Sequence, residues 1–329
     1  MEKFRDELEN IIKETQGLLL ENKTEWEPRY RGYAQALHTN EDSITLNRRK
    51  FYEFAPFRYY ISTSTAKASK HNLKLDVRYR GQSVATMETT QNDVTISTEG
   101  KNQNNLDHFG CDIELNNAEW RGKEAKEFRS FFKNRDNSRN STIKSNEEHY
   151  VESLLLSEFS KEGGINKQIR GIQPVKLCGV RFGMPTPLKA CYQHKPAGYA
   201  KQYGGGIDIL ARTGGGRYDT HLTVIEVKDE NKIGEPPKAA LKQAIKYAVF
   251  IRELLRSDCG ADWYNLFGFN GEIPNQLKIR VVCAMPDDVV DDSFANMTMP
   301  IGYDIIECHY IYFKYDGQQL SDFQTSLNK

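Results

Sequence analysis

The chain lacks long apolar segments, paired cysteines and an excess of either charge. No apolar run approaches the roughly 18 residues that a bilayer-spanning helix needs, and carboxylates are scattered through the first twenty residues, where a secretory signal would be apolar. The six cysteines are dispersed without a CxxC pair, which argues against a disulfide framework or a thiolate zinc site. We therefore expect a cytoplasmic protein with reduced thiols and no membrane segment.

Several common site signatures are also missing. Basic residues number 45 and acidic residues 45, so the net charge of zero removes the global basic signature that would by itself point to nucleic acid. The glycine clusters at 204–206 and 214–216 are not followed by Lys-Ser/Thr and a helix, so neither is a P-loop, and the histidines form no HExxH pair. If the protein binds a polyanion, the binding surface is therefore a local patch of positive charge.

The composition is that of a globular protein of about two domains, with 329 residues, 38% hydrophobic and 27% charged. Helical spacing of apolar residues predicts a helix in the first twenty residues, and alternation from residue 73 predicts antiparallel strands. A predicted helix at 123–133 leads into a polar stretch at 134–146. We place a domain boundary there, between an N-terminal α+β accessory or substrate-selecting region, 1–140, and a second domain, 141–329.

The second domain alternates helices and strands. Ser145 with Glu148 forms a capping-box pattern at the start of one helix, and Pro236-Pro237 begins another. Strands are predicted near residues 173–182, 206–212, 221–228 and 279–285. This order predicts an α/β fold with a central mixed sheet flanked by helices.

The most informative segment is 204–230. Two strand-like runs flank a glycine-rich turn, which predicts a β-hairpin centred near Arg217. Asp208 and Glu226 are each nine residues from this centre, so the hairpin places them opposite each other, with Cβ atoms about 5 Å apart. Lys228 lies two residues beyond Glu226 and shares its strand face.

Two carboxylates and an ammonium on one face form a chemically specific set. Carboxylate oxygens are ligands that Mg²⁺ prefers, and a lysine beside them can orient or deprotonate an attacking water. The set suggests a metal-dependent hydrolase of phosphodiesters. The alternative is that both acids are solvated and that Lys228 is their salt-bridge partner. The apolar sequence LTVIEV, residues 222–227, predicts a central strand and favours the metal site, because a buried Glu is costly there unless it has a function.

These residues carry a resemblance to a known family. Asp208, followed after the hairpin by Glu226-Val227-Lys228, resembles the D…(D/E)xK signature of the PD-(D/E)XK nuclease superfamily, which has the restriction-endonuclease-like fold. Gln243 and Tyr247, four residues apart on one helical face, are similar to the QxxxY motif of its RecB-like branch. The resemblance covers roughly residues 145–315, and Gly206-Ile207 stands where the superfamily's name has a proline.

The resemblance implies a set of roles. Asp208, Glu226 and the carbonyl of Val227 would bind Mg²⁺, for which Mn²⁺ can substitute. Lys228 would position the attacking water. Gln243 and Tyr247 would brace the site or contact the DNA backbone.

The superfamily usually adds an acid from the helix before the first core strand. The apolar residues of that helix centre nearest Glu148, then Glu147, and we choose Glu148. Glu152 stays a candidate because Leu155 and Phe159 follow it at helical spacing. A first-turn acid favoured by the helix dipole explains any of them equally well.

A local basic segment spans residues 44–80, with nine Lys or Arg and two acids. Arg48, Arg49 and Lys50 could hold the phosphates of a nucleic acid as a substrate-binding patch. The rings that could stack on bases are those of Phe51, Tyr52, Tyr59 and Tyr60. An ordinary core segment with solvated charges is the simpler interpretation.

We predict a Mg²⁺-dependent nuclease of restriction, repair or defence type, with DNA as the substrate by resemblance only. The alternative is a catalytically inactive nucleic-acid-binding or complex-forming protein on the same fold. The complete D…ExK set argues against it, since a binding module has no need of a metal-ligand pair beside a lysine. The sequence leaves open whether the chain acts alone, as a homodimer or in a larger complex.

Overall fold

The chain forms two compact units, both with helices and strands, so the α/β class predicted from the sequence is confirmed. The first unit comprises Met1–Arg31, Val151–Val175 and Met184–Lys329, and the second comprises Gly32–Tyr150 and Lys176–Gly183. The computed structural model describes residues 2–51, 54–65, 73–89, 93–99, 103–137, 147–160, 169, 171–189, 197–202, 204–214, 219–231 and 235–327.

The helices are α1 (Glu2–Glu21), α2 (Lys23–Thr39), α3 (Glu41–Phe51), α4 (Gln103–Phe109), α5 (Lys123–Asn137), α6 (Glu147–Ser160), α7 (Pro237–Leu255) and α8 (Gly260–Leu266). The strands are β1 (Arg58–Ile61), β2 (Leu73–Tyr79), β3 (Gln82–Thr89), β4 (Val94–Ser97), β5 (Ala118–Glu119), β6 (Ile172–Pro174), β7 (Lys176–Leu177), β8 (Val180–Phe182), β9 (Met184–Pro185), β10 (Gly206–Ile207), β11 (Ile209–Thr213), β12 (His221–Val227), β13 (Lys278–Pro286), β14 (Thr298–Ile301), β15 (Asp304–Tyr315) and β16 (Leu320–Thr325). Within the described ranges, none of the helices has both the length and the apolar character needed to cross a membrane.

The first unit is built on a mixed sheet with the strand order β14-β15-β13-β12-β11-β6, and β16 pairs with β15. β12 and β15 both run parallel to β13, while the remaining pairs are antiparallel. β12 lies in the middle and is buried from Leu222 to Val227. Its run of apolar and β-branched residues suits a strand that is covered on both faces. The predicted central mixed sheet is therefore present.

Helix α7 packs against β12 and β13. Pro237 begins the helix, where its fixed φ and missing N–H cost nothing. Helix α1 packs on α7 in turn, and Nζ of Lys242 donates to Oε2 of Glu7 at 2.7 Å. The residues that α1 buries are Phe4, Leu8, Ile12, Thr15 and Leu19. The N-terminal helix is thus part of the first unit.

A buried carboxylate ties the end of α7 to the sheet. Asp304 accepts hydrogen bonds from Nε of Arg252 at 2.8 Å, from Nε of Arg256 at 3.1 Å and from the N–H of Leu277 at 2.8 Å. Burial by itself would raise the pKa of Asp304, but these donors outweigh it and hold the pKa below its ordinary value. The carboxylate therefore stays ionised and fixes the helix.

The second unit contains a sheet with the strand order β5-β4-β3-β2-β1-β8-β7. One face of this sheet carries an aromatic core, in which Phe57 stacks on Phe128 of α5 at 5.5 Å and Tyr59 meets the edge of Trp120 at 6.3 Å. Strand β1 runs antiparallel to β2 and parallel to β8. The alternating sequence from residue 73 therefore forms sheet, as predicted.

The division of the chain differs from the predicted boundary at 140–141, which lies outside the described residues. The first 31 residues belong with the C-terminal unit, because the apolar face of α1 is buried on α7. The predicted strand region 173–182 is also divided: β6 joins the first unit's sheet, while β7 and β8 join that of the second. The second unit is therefore formed by two segments, Gly32–Tyr150 and Lys176–Gly183, which are both inserted between segments of the first unit.

Candidate metal centre

Asp208 and Glu226 meet where β11 and β12 pair. The antiparallel register matches Ile209 with Ile225, which places Asp208, one residue before β11, opposite Glu226. The N–H of Val227 donates to Oδ2 of Asp208 at 2.9 Å and holds this carboxylate at the end of the hairpin. The predicted register is thus confirmed, although the turn at 215–218 lies outside the described residues.

Glu226 and Lys228 form an ion pair, with Nζ of Lys228 at 2.8 Å from Oε1 of Glu226. Both residues are buried, at 1% and 5% exposure. The N–H of Lys228 donates to the carbonyl of Ala284, which extends the pairing of β12 with β13 by one residue. Lys228 therefore keeps the strand alternation that places it on the face of Glu226.

Glu148 completes a group of three acids. Each of Glu148, Asp208 and Glu226 offers a carboxylate oxygen, and these three oxygens all lie within 4.8 Å of one another. Glu148 stands in the first turn of α6, a continuous helix whose residues from Val151 onward belong to the first unit. Of the three candidate acids of this helix, Glu148 is the one that lies in this group, and its role at a metal stays a prediction.

Glu152, the second candidate, lies one turn along α6 and is 6% exposed. Neither Glu152 nor Glu147 belongs to the group of acids that could share an ion, as far as the described residues extend. The sequence did not decide which side of α6 faces the core. In the structure that side carries the buried apolar residues Val151, Leu155, Leu156 and Phe159.

The backbone of Val227 is oriented toward the same place. In a β-strand, the N–H and the C=O of one residue point to the same side of the strand. Because the N–H of Val227 points to Asp208, its carbonyl lies on the Asp208 side of β12. This is consistent with the ligand role that the resemblance implied for that carbonyl.

Gln243 and Tyr247 both lie on α7, the helix that packs against β12 and β13. Tyr247 is buried and Gln243 is half-buried, so the tyrosine is not a solvent-facing residue of the helix. Their participation at the carboxylates stays a prediction.

The basic segment is mostly structural where it is described. Arg48, Arg49 and Lys50 form the last turn of α3, and Nη1 of Arg48 donates to the carbonyl of Cys178 at 2.7 Å. Phe51 and Tyr59 are buried and pack on each other at 5.0 Å. These two rings fit the simpler interpretation of an ordinary core segment and not base stacking, because they are buried in the core of the second unit.

The remaining members of the segment have different outcomes. Tyr60 is buried, and the guanidinium of Arg78 lies 4.3 Å from the centre of its ring. Tyr52 lies outside the described residues. Arg49 is exposed, so a phosphate contact by this side chain stays a prediction.

The thiols and the histidine near the hairpin are not part of this centre. Burial raises the pKa of Cys308 to about 12, and the thiol of Cys283 is likewise shifted upward by burial, so neither is a nucleophile at neutral pH. Nε2 of His221 lies 3.2 Å from Oδ1 of Asp219. Burial, followed by the charge of Arg280, lowers the pKa of His221.

The three carboxylates suit a hard divalent cation. Oxygen ligands are preferred by Mg²⁺ and Mn²⁺, whereas sites for softer metals use imidazole and thiolate. Glu148, Asp208, Glu226 and Lys228 together carry a formal charge of −2, which a divalent cation would balance.

Comparison of the chain with protein-family models, with curated proteins and with solved structures found no match.

Proposed function

We propose that the chain is a Mg²⁺-dependent nuclease that hydrolyses DNA phosphodiester bonds. The observation that carries this proposal is the meeting of Glu148, Asp208 and Glu226 within 4.8 Å, beside the ammonium of Lys228. We infer that the first unit's mixed sheet is the restriction-endonuclease-like core of the PD-(D/E)XK superfamily. The D…ExK and QxxxY patterns support the same inference.

The three carboxylates and the carbonyl of Val227 would hold the ion. When bound, the ion would act as a Lewis acid on a phosphodiester oxygen and lower the pKa of coordinated water. The chain's own contribution is a set of ligands arranged in advance. The N–H of Val227 orients Asp208, and strand pairing on both sides of β12 fixes Glu226.

Lys228 is proposed to act on water and phosphate. Its ammonium lies 2.8 Å from Oε1 of Glu226, one of the proposed metal ligands. From this position the ammonium would orient a water molecule for attack, and its positive charge would offset negative charge that develops on the phosphate. Because burial excludes competing solvent, this charge acts more strongly than it would at the surface.

Gln243 and Tyr247 are proposed to support the site from α7. The amide and the phenol lie on one face of a helix that packs on β12, the strand that carries Glu226. They would brace the carboxylates or donate hydrogen bonds to the DNA backbone.

The test is an incubation of the full chain with labelled linear, circular and branched DNA, in Mg²⁺, Mn²⁺ or EDTA. We expect cleavage in either metal and none in EDTA or in a Glu226→Gln variant. The matched control is Glu272→Gln, an exposed acid in the first unit, which should cleave like the wild type. DNA binding without cleavage in any metal would replace the nuclease proposal with the non-catalytic binding protein.

A further inference from the structure

The turn between β2 and β3 consists of two residues, Arg80 and Gly81. Tyr79 pairs with Gln82 across this turn, and both turn residues have a positive φ, 47° for Arg80 and 80° for Gly81. Positive φ at both central residues is the mark of a type I′ turn, whose twist suits a β-hairpin. The hairpin therefore specifies the backbone of the turn.

The aromatic core of the second unit holds this turn in place. Tyr79 is 1% exposed, and its ring packs on those of Phe109 at 5.0 Å and Phe132 at 4.8 Å. Nε of Arg80 lies 3.8 Å from Oδ1 of Asp136, near the end of α5. The turn is therefore anchored to packed residues on the strand that leads into it and on a neighbouring helix.

The β2–β3 turn contacts the first turn of α6, and both belong to the second unit. A methyl group on Gly81 would overlap the carbonyl oxygen of His149, so the two backbones touch and glycine is required here. The guanidinium of Arg80 lies 5.4 Å from the centre of the Tyr150 ring, which is within the range of a cation–π interaction. The two residues that directly follow Glu148 are thus held by the β2–β3 turn.

The first turn of α6 is not fixed by its own burial. Residues 147–150 are half-buried or exposed, and the buried residues of the helix begin at Val151. The first N–H groups of a helix have no intrahelical partner, so an end turn frays unless other contacts hold it. A metal ligand has to be held to within about 0.5 Å of its working position. Glu148 therefore needs a contact of the kind that the β2–β3 turn supplies.

The turn between β7 and β8 has the same backbone and different contacts. Cys178 and Gly179 have φ values of 49° and 83° and also connect two antiparallel strands. A methyl group on Gly179 would meet the end of the flexible side chain of Arg48, whereas one on Gly81 meets the backbone of a helix. The β7–β8 turn is therefore a matched control for the β2–β3 turn.

We propose that Arg80 and Gly81 are positioning residues for Glu148 and thereby set the metal affinity of the candidate centre. The contact of Gly81 with His149 fixes the backbone next to Glu148, and the guanidinium of Arg80 over the ring of Tyr150 fixes the rotation of the first helical turn. The proposal rests on the metal centre of the proposed function and adds to it a determinant outside the carboxylates.

The test is calorimetric titration of the full chain with Mn²⁺. Gly81→Ala should weaken Mn²⁺ binding by about tenfold, the lower end of the usual loss when a group that orients a metal ligand is changed, because the methyl group displaces the backbone of His149. Gly179→Ala also places a side chain at positive φ, in the control turn, and should bind Mn²⁺ like the wild type. The melting temperatures of both variants measure the cost of that strain to folding.

Arg80→Asn gives a second test, in which a loss of affinity cannot arise from charge. Asn-Gly is a preferred sequence for a type I′ turn, so the hairpin keeps its conformation. Removal of a positive charge by itself favours cation binding, whereas loss of the contact with Tyr150 should weaken Mn²⁺ binding by about tenfold. Arg80→Lys keeps a cation over the ring and should restore most of the affinity. The control is Cys178→Asn, the same exchange in the β7–β8 turn.

Wild-type Mn²⁺ affinity in both Gly81→Ala and Arg80→Asn would overturn the proposal. Equal losses of affinity in the two matched control variants would also overturn it, because both turns would then act only through the stability of the sheet. An affinity as low in Arg80→Lys as in Arg80→Asn would remove the role of the cation. If the wild type itself binds no Mn²⁺, the metal centre fails; if the wild type and all variants bind equally, the metal centre stands and the positioning role fails.

Discussion

The ammonium of Lys228 lies 2.8 Å from Oε1 of Glu226, and both side chains are almost fully buried. Such a pair contributes little net stability, because the cost of removing two charges from water offsets their attraction. Asp208 and Glu148 then add two further carboxylates to the same place. This electrostatic cost is the physical reason for proposing a cation at the cluster.

Lys228→Met tests the role of the ammonium. The substitution keeps much of the aliphatic stem and removes the charge. DNA and metal binding should largely persist, while single-turnover cleavage should fall by about 10²–10³-fold, the usual loss for one electrostatic stabiliser. Lys314→Met is the control, since Lys314 is exposed on β15. Cleavage at the wild-type rate in folded Lys228→Met would make the lysine a structural ion-pair partner.

Asp208→Asn and Glu226→Gln should abolish most binding of Mn²⁺ or Mg²⁺ in calorimetry, because each removes one of the facing ligands. In the wild type, an ion at about 100 times its Kd should add about 2.7 kcal/mol to the free energy of unfolding, and the variants should lose this gain. The control is Glu152→Gln, a second acid of α6 that lies outside the group. Equal binding by wild type and all variants would remove the metal centre.

Tyr247→Phe tests the contribution of α7. The ring is buried, so the phenyl group should preserve packing, and the melting temperature should change little. Under the proposed bracing role, loss of the Tyr247 hydroxyl should slow cleavage by about tenfold. Tyr303→Phe serves as the control because Tyr303 is 87% exposed. Unchanged cleavage would show that Tyr247 is a core residue only.

Asp304→Asn should destabilise the first unit by about 3–5 kcal/mol, the usual cost of breaking a buried ion pair, since Arg252 and Arg256 lose their carboxylate. The pKa of Asp304 is lowered in the folded protein, so its pairing contributes fully above the ordinary Asp pKa of about 3.9 and is lost as the pH falls through the folded-state pKa. The free energy of unfolding, measured with denaturant, should therefore fall more steeply below about pH 4 in the wild type than in the variant. Parallel pH profiles would contradict this.

The sequence by itself determined the centre of the site. The period-two pattern and the symmetric hairpin place Asp208 opposite Glu226 and Lys228 on the same face, because strand alternation and antiparallel register leave no freedom once the turn is located. The helical spacing of α1, α5 and α7 is equally local, and these helices form where the pattern predicts them.

The tertiary structure decided the rest. Glu148 was one of three candidate acids near the start of α6, and only the packing of this helix brings its carboxylate close to those of Asp208 and Glu226. Arg58 and Arg181 are far apart in the chain, and they lie on the same face of the second unit's sheet because β8 pairs with β1. The first 31 residues join the C-terminal unit because α1 needs a surface on which to bury its apolar stripe. Each of these relationships depends on contacts between distant segments, whose energies no local pattern in the sequence records.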